Sequence, residues 1–343
     1  MVFKRLLGSL GVGGPAVDTV LDPGPVTPGG PLGGQVHLRG GDSDFTIEHI
    51  TLELVARVEA EHGEGESEGT VVFDRHVVGG GFRLGAGEQR TVPFSVPLPW
   101  ETPVTELYGQ GLGVVLGVRT ELGVAGARDK GDLDPLAVRP LPAQEAVLEA
   151  LGQLGFGFRS ADLELGRIGG TGQRLPFYQE IELSPGPRYA HQVNELEVTF
   201  LAGPGGLDVV LEADKRGGFL SAGHDALSLF SVGHHDAGYA GHTDWTALVD
   251  GWIRELLDRR AAHGHGDHHA GHHDGHHGGH HGHHGYDEHD GHRSGPGMGT
   301  AIAAGAAGLA VGVVGGMVAA EVVDEVGDFF EGDDEGDDEG WED

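Results

Sequence analysis

Short apolar runs of β character, cut at intervals by glycine and proline, constrain this chain more than any other feature. AVDTVLD, GGQVHLRGG, FTIEHITLELVARVEAE, GTVVFDRHVV, QRTVPFSVPLPW and GVVLGVRTELGVAG follow one another before residue 127. In ITLELVARV the apolar Ile50, Leu52, Leu54 and Val58 alternate with Thr51, Glu53 and Arg57. That period of two buries one face of a strand. Strands of this length separated by turn residues predict an antiparallel sandwich over residues 1–129.

At 130–142 the sequence KGDLDPLAVRPLP has three prolines and no long apolar run, which predicts a hinge. The β pattern then resumes over 143–242 in FRSADLELGRI, PFYQEIELSP, NELEVTFLA and GLDVVLEADK, and predicts a second sandwich. Gly203, Pro204, Gly205 and Gly206 supply a hairpin turn between the last two runs. Helical spacing occurs twice. Val147, Leu148, Leu151 and Leu154 predict a short amphipathic helix ending near Gly155. Trp245, Leu248, Trp252, Ile253, Leu256 and Leu257 predict a second one over 243–260, with Asp244 as its N-cap. The fold class is therefore mostly β, two tandem sandwiches followed by a short amphipathic helix and a low-complexity tail.

The tail has three parts. Residues 263–292 hold 14 histidines among glycine and aspartate and cannot build a core. Residues 295–320 carry no charge, and Ala304, Gly308, Gly312, Gly316 and Ala320 recur every fourth residue, on one face of a helix. Residues 321–343 include thirteen acidic residues and no Lys or Arg. The whole chain carries 54 acidic against 21 basic side chains, a formal charge of -33. Binding to nucleic-acid phosphate or to anionic headgroups is disfavoured by that balance, and a basic protein partner suits it better. No cysteine is present, which excludes disulfides, thiol nucleophiles and thiolate metal sites. At the N-terminus Gly8, Gly11, Gly13 and Gly14 interrupt the apolar residues of MVFKRLLGSLGVGG before a signal-peptide h-region forms, so a cytoplasmic protein is expected.

Several motifs stand in an order that resembles a known family. FKRLLGSLGVGGPAVDTVLD, PGGPLGGQVHLRGG, FSVPLPWETP, DLDPLAV, LPFYQEIELSP, NELEVTF and LEADKRGG are similar to the bacterial sporulation-control proteins of the stage-zero M type, over about residues 1–255. The resemblance implies an arrestin-like fold, two β-sandwiches joined by a short hinge, and a regulator of sporulation without enzymatic activity. It supplies no catalytic residues. The histidine tract and the acidic tail lie outside the family's common pattern.

Catalytic signals are absent from the sequence. There is no G-x-S-x-G, P-loop or H-E-x-x-H, and Gly111, Gly113 and Gly117 do not have dinucleotide-binding spacing. Glu180 and Glu182 share a strand face and are expected on its solvated side. The histidine tract carries the metal chemistry. His268, His269, His272, His273, His276, His277, His280 and His281 form pairs repeated every four residues, followed by His283 and His284. Two to four imidazoles from such a tract can surround Ni, Zn or Cu, although no cofactor is required by the rest of the chain.

The expected function is thus a non-enzymatic regulatory or scaffold protein that binds a protein partner. A metal storage or sensing protein built on the tract is the alternative. For 295–320 three readings stand open: a membrane-associated segment, a soluble helix packing against a second copy or another helix, and a linker.

Overall fold

The computed structural model describes residues 13–62, 65–125, 130–213, 228–238 and 243–264. The chain is mostly β. The strands are β1 (Ala16–Leu21), β2 (Pro31–Arg39), β3 (Phe45–His62), β4 (Gly65–Gly79), β5 (Phe82–Leu84), β6 (Gln89–Pro97), β7 (Glu106–Leu107), β8 (Gln110–Gly111), β9 (Leu116–Val124), β10 (Lys130–Pro135), β11 (Gly157–Leu165), β12 (Phe177–Ser184), β13 (Leu196–Gly203), β14 (Gly206–Ala213) and β15 (Ser228–Gly233). The helices are α1 (Pro142–Gln153), α2 (His234–Gly238) and α3 (Trp245–Gly264).

The first lobe is a sandwich. A three-stranded sheet, β1-β2-β6, lies over the β10-β9-β3 part of a larger sheet, with β4 and β5 also paired to β3. Val17, Leu32, Val36, Leu38, Phe94 and Val96 from the first sheet meet Ile50, Leu52, Leu54, Val71, Phe73, Val118 and Leu122 from the second in one core. The alternation in β3 thus reads out directly as the inward face. Its other face is buried too, because Thr51, Glu53 and Val55 are covered in the middle of the sheet.

The stretch expected as a hinge at 130–142 is divided. Lys130–Pro135 is strand β10, antiparallel to β9 from Lys130↔Leu122 to Pro135↔Gly117. Thr19 N–H donates to the Asp132 carboxylate at 2.7 Å, tying β1 to this strand. Only 136–141 are left as a connection, and even there Leu136 and Val138 are buried. Prolines at the ends of an edge strand do not interrupt its ladder, which is why composition suggested a longer break.

The second lobe is the continuation of the same sheet, β11-β12-β13-β14-β15. Where β9 ends opposite Ala56, β3 runs on, and its Glu59 pairs in parallel with Glu164 of β11. Among the described residues the layer covering this half is helical. α1 supplies Ala143, Val147, Ala150 and Leu151, and α3 supplies Val249, Trp252, Ile253 and Leu256, against Ile181, Leu183, Leu196, Val198, Leu207, Val209 and Leu211. The two helices are therefore part of the lobe's layering, not an appendage to it. Leu163, Leu175 and Phe177 belong to the first lobe's core, so the boundary does not fall cleanly at residue 143.

Local chemistry explains the helix ends. Pro142 opens α1, and the Gln144 side chain accepts the Leu141 N–H at 2.8 Å. At its end Gly155 takes φ +95, with Phe156 N–H on Leu151 O and Gly155 N–H on Gly152 O, both at 3.0 Å. These are the two bonds of a Schellman stop, which needs glycine at the left-handed position. Asp244 caps α3 as expected, accepting the Ala247 N–H at 2.9 Å. α3 runs to Gly264, past the expected end at 260. Asp250 fixes it to the turn before β13 by accepting from the Tyr189 hydroxyl and from Arg188. Burial pushes the Asp250 carboxyl up, but the Tyr189 hydroxyl and the guanidiniums of Arg188 and Arg254 outweigh that and hold it below the usual range. Among the described residues no helix is long and apolar enough to cross a membrane.

Candidate functional site

The histidines expected to bind metal, His268, His269, His272, His273, His276, His277, His280, His281, His283 and His284, lie outside the described residues. So do the 295–320 segment and the acidic tail. The described residues form two other groupings, one on the outer face of the second lobe and one between the lobes.

On the outer face, strand register aligns carboxylates that are far apart in sequence. Asp162 of β11 stands opposite Glu180 of β12, and Glu164 stands opposite Tyr178. Glu182 of β12 stands opposite Glu197 of β13, which stands opposite Glu212 of β14. One oxygen from each of Asp162, Glu164 and Glu180 lies within 4.8 Å of the others. Three oxygen donors so close are the set a hard divalent cation would take, and without one they repel each other.

Glu180 shows the consequence. Burial, then the charges of Glu197, Asp162, Glu164 and Glu212, push its carboxyl up to about 9, so it holds its proton at neutral pH. The expectation that Glu180 sits on a solvated face is corrected by this: the face is half-buried and crowded with like charge. Glu195 is also raised, first by burial and then by its hydrogen bond to Glu182, with Arg159 opposing. Tyr178 is raised well above its ordinary value by burial and then by Glu180. At the edge of the group the Ser160 hydroxyl donates to Glu182, and Arg159 pairs with Glu195. The signal was present in the sequence as acids at alternate positions in three runs, DLEL, YQEIEL and NELE, and a single acid in VLEA. Only the register between strands turns these into one patch.

A second grouping lies at the junction of the lobes, a cleft of about 580 Å³. One wall comes from Pro99, Trp100 and Glu101, after β6, and from Arg174 and Leu175, ahead of β12. The other is the β13–β14 hairpin from Leu201 to Asp208, with Ser231 to Gly233 of β15. This hairpin has the expected two-residue turn, Pro204 and Gly205, between the paired Gly203 and Gly206. The walls are clamped. Glu101 accepts the N–H groups of Arg174 and Leu175 at 2.8 to 2.9 Å. Trp100 stacks on His234 at 5.1 Å between ring centres, and His234 Nε2 is 2.7 Å from Gly203 O. Gly29 presses on the same indole so closely that a Cβ there would lie 2.4 Å from it. Nearby, the Gln179 amide bonds both the N–H and the C=O of Val104, at 2.9 and 2.8 Å, across the lobe junction.

The charged residues lining the cleft are Glu101, Arg174 and Asp208. Beside it Arg167 donates to the carbonyls of Gln173 and Arg174, which ties down the loop ahead of β12. Sequence reasoning did not single out these arginines, because the glycine-rich run GRIGGTGQRL around them reads only as a loop.

Comparison with known proteins agrees with this architecture. The family model described as SpoOM protein matches residues 3–217. The sporulation-control protein spo0M of Bacillus subtilis (strain 168) is 36% identical over 215 residues, which cover 62% of this chain and 81% of that protein. The crystal structure of Spo0M from Bacillus subtilis superposes with a TM-score of 0.62 at 30% identity, covering 72% of this chain and 99% of the other. The fold is thus the arrestin-like β fold that the order of motifs suggested.

Proposed function

The chain belongs to the SpoOM sporulation-control family, and from that premise we propose that it is a non-enzymatic regulator that works by holding a protein partner. The observation that carries this reading is the family match over residues 3–217, which runs through the first lobe and most of the second lobe's sheet. The outer acidic face of β11 to β14 and the overall charge of -33 favour a partner that presents basic side chains. The absence of cysteine suits a reducing compartment, in keeping with a cytoplasmic regulator. Complementation tests the reading. In a Bacillus subtilis strain lacking spo0M, this chain should restore wild-type sporulation, and reversal of charge at Glu182, Glu197 and Glu212 to Lys should remove the rescue without lowering protein level. Failure of the unaltered chain to rescue, or turnover by the purified protein in a broad hydrolase screen, counts against it.

A metal response through the histidine tract is a second reading, favoured by the His pairs from His268 to His281 at a repeat of four. Neutral imidazole is the ligand, so Ni, Zn or Cu binding should weaken steeply from about pH 7.5 to 5.5. Calorimetry on the full chain and on one lacking 263–292 measures this. Equal affinity in the two chains would place the metal elsewhere.

A further inference from the structure

The β7–β8 hairpin presents an aromatic side chain outward at a backbone position that disfavours it. Leu107 pairs with Gln110, so Tyr108 and Gly109 are the two turn residues, at φ +52 and +76. Positive φ at both makes a type I′ turn, where Asn, Asp or Gly is the ordinary first residue. A bulky side chain takes that conformation only with strain. Among the described residues Tyr108 alone combines a side chain with a positive φ, and it is 65% exposed. Burial of its ring within this chain offsets little of the strain, so the fold by itself does not account for tyrosine at this tip.

The hairpin is firmly held. The Thr105 and Glu106 N–H groups donate to Val138 O at 2.9 and 3.3 Å, and Leu112 N–H donates to Thr105 O at 2.9 Å. Val138 N–H donates to the Thr105 hydroxyl at 2.8 Å. Val138 is buried, and α1 starts soon after it at Pro142. The ring is therefore fixed beside the first turns of that helix. Both charges that act on its hydroxyl are negative: partial burial, then Glu145 and Glu149 of α1, hold it above its ordinary value. These two acids stand one turn apart on one side of the helix, Glu145 half-buried and Glu149 exposed. An aromatic face attracts a cation, and a planar guanidinium stacks on it while its N–H groups reach carboxylates at the edge.

We propose that Tyr108, Glu145 and Glu149 form a docking surface for an arginine side chain of the protein partner. It rests on the reading of a partner with basic side chains, and it lies on the helical side of the second lobe, across the sheet from the acidic face of β11 to β14. A held tyrosine ring has few torsions to lose on binding, which suits it to such a contact.

NMR of the full chain with ring-labelled tyrosine tests the surface, with a short peptide of alternating glycine and arginine as the probe. The Tyr108 ring signals, assigned by their loss in Tyr108→Phe, should shift saturably with this peptide and stay in place with a glycine–glutamate peptide of the same length. Glu145→Gln with Glu149→Gln should weaken the binding read at Tyr108 about threefold. Tyr108→Asn gives the turn the Asn-Gly pair it favours and should raise the melting point by about 2 °C. Ring signals that stay in place at every concentration of the arginine peptide overturn the proposal, as do shifts unaltered by the two Gln substitutions. A melting point that Tyr108→Asn fails to raise overturns it also, because the ring would then serve the fold itself. Complementation separates the two readings: rescue of sporulation with unmoved Tyr108 signals leaves the regulator without this surface, and shifted signals without rescue leave the surface without the regulator.

Discussion

At neutral pH the Glu180 carboxyl keeps its proton because burial and four neighbouring carboxylates make its ionised form costly. The sign of the effect on stability follows. Below about pH 4.5, its ordinary value, the side chain is protonated whether the chain is folded or not. As pH rises from there to about 9 the unfolded chain ionises and the folded one does not, so stability falls across that window. Glu180→Gln keeps the shape and removes the titration. It should raise the melting point at pH 8 by roughly 2–4 °C for each kcal/mol recovered, with the difference vanishing toward pH 4.5. A melting-point difference that is constant from pH 4.5 to 8 would contradict the shift. Glu53 is a buried carboxylate with cations for neighbours. Its side chain is 2% exposed and lies between Arg75 of β4 and Arg119 of β9, both directly opposite it in register, with Nε–Oε distances of 2.6 Å. Glu53→Gln removes the buried carboxylate that Arg75 and Arg119 share and should cost about 1–3 kcal/mol, since both guanidiniums reach solvent in part, whereas replacing all three residues by apolar ones of similar size should cost less. Chemical denaturation of the single and triple variants compares the two.

At the scale of elements, glycine has one observed use and one proposed use in this chain. In Gly155 it ends α1 through a positive φ that other residues adopt only with strain. In Gly308, Gly312 and Gly316, outside the described residues, it recurs every fourth residue of an uncharged stretch, and we propose that it serves close packing of a helix there. Replacing those three by Leu should abolish such packing while making the segment more apolar. Cell fractionation and sizing decide between the readings. A membrane segment stays with the membrane fraction, and a soluble packing helix loses its oligomer or aggregates. A wild-type chain that is wholly soluble and monomeric, with neither property altered by the substitution, leaves a linker.

For the molecule as a whole, the two lobes are not independent. They share one sheet through Glu59 and Glu164, and Leu163, Leu175 and Phe177 complete the first lobe's core from beyond the connecting segment. Phe177 also meets Phe73 edge-on at 5.6 Å. A chain ending at Leu141 would leave that core open on one side. It should melt below the full chain and bind a hydrophobic dye that the full chain does not. Equal melting points would mean that the first lobe closes without these residues.

The sequence by itself determined those elements whose pattern is local. Alternation gave the inward faces of β3, β12 and β13, the Gly-Pro-Gly-Gly turn gave the β13–β14 hairpin, and the apolar stripe and Asp244 gave α3, because each rests on contacts within a few residues. Motif order gave the family and with it the fold. The tertiary structure alone decided which strands lie side by side, and with that everything that depends on register. It placed Asp162, Glu164 and Glu180 together and made Glu180 hold a proton, and it set Arg75 and Arg119 on either side of Glu53. It also turned the proline-rich stretch after residue 130 into an edge strand and formed a cleft from loops more than seventy residues apart, as in the Glu101 contact with Arg174. Local pattern records which side chains face inward, but electrostatic coupling depends on distances of a few ångströms between strands, and only the pairing of those strands fixes them.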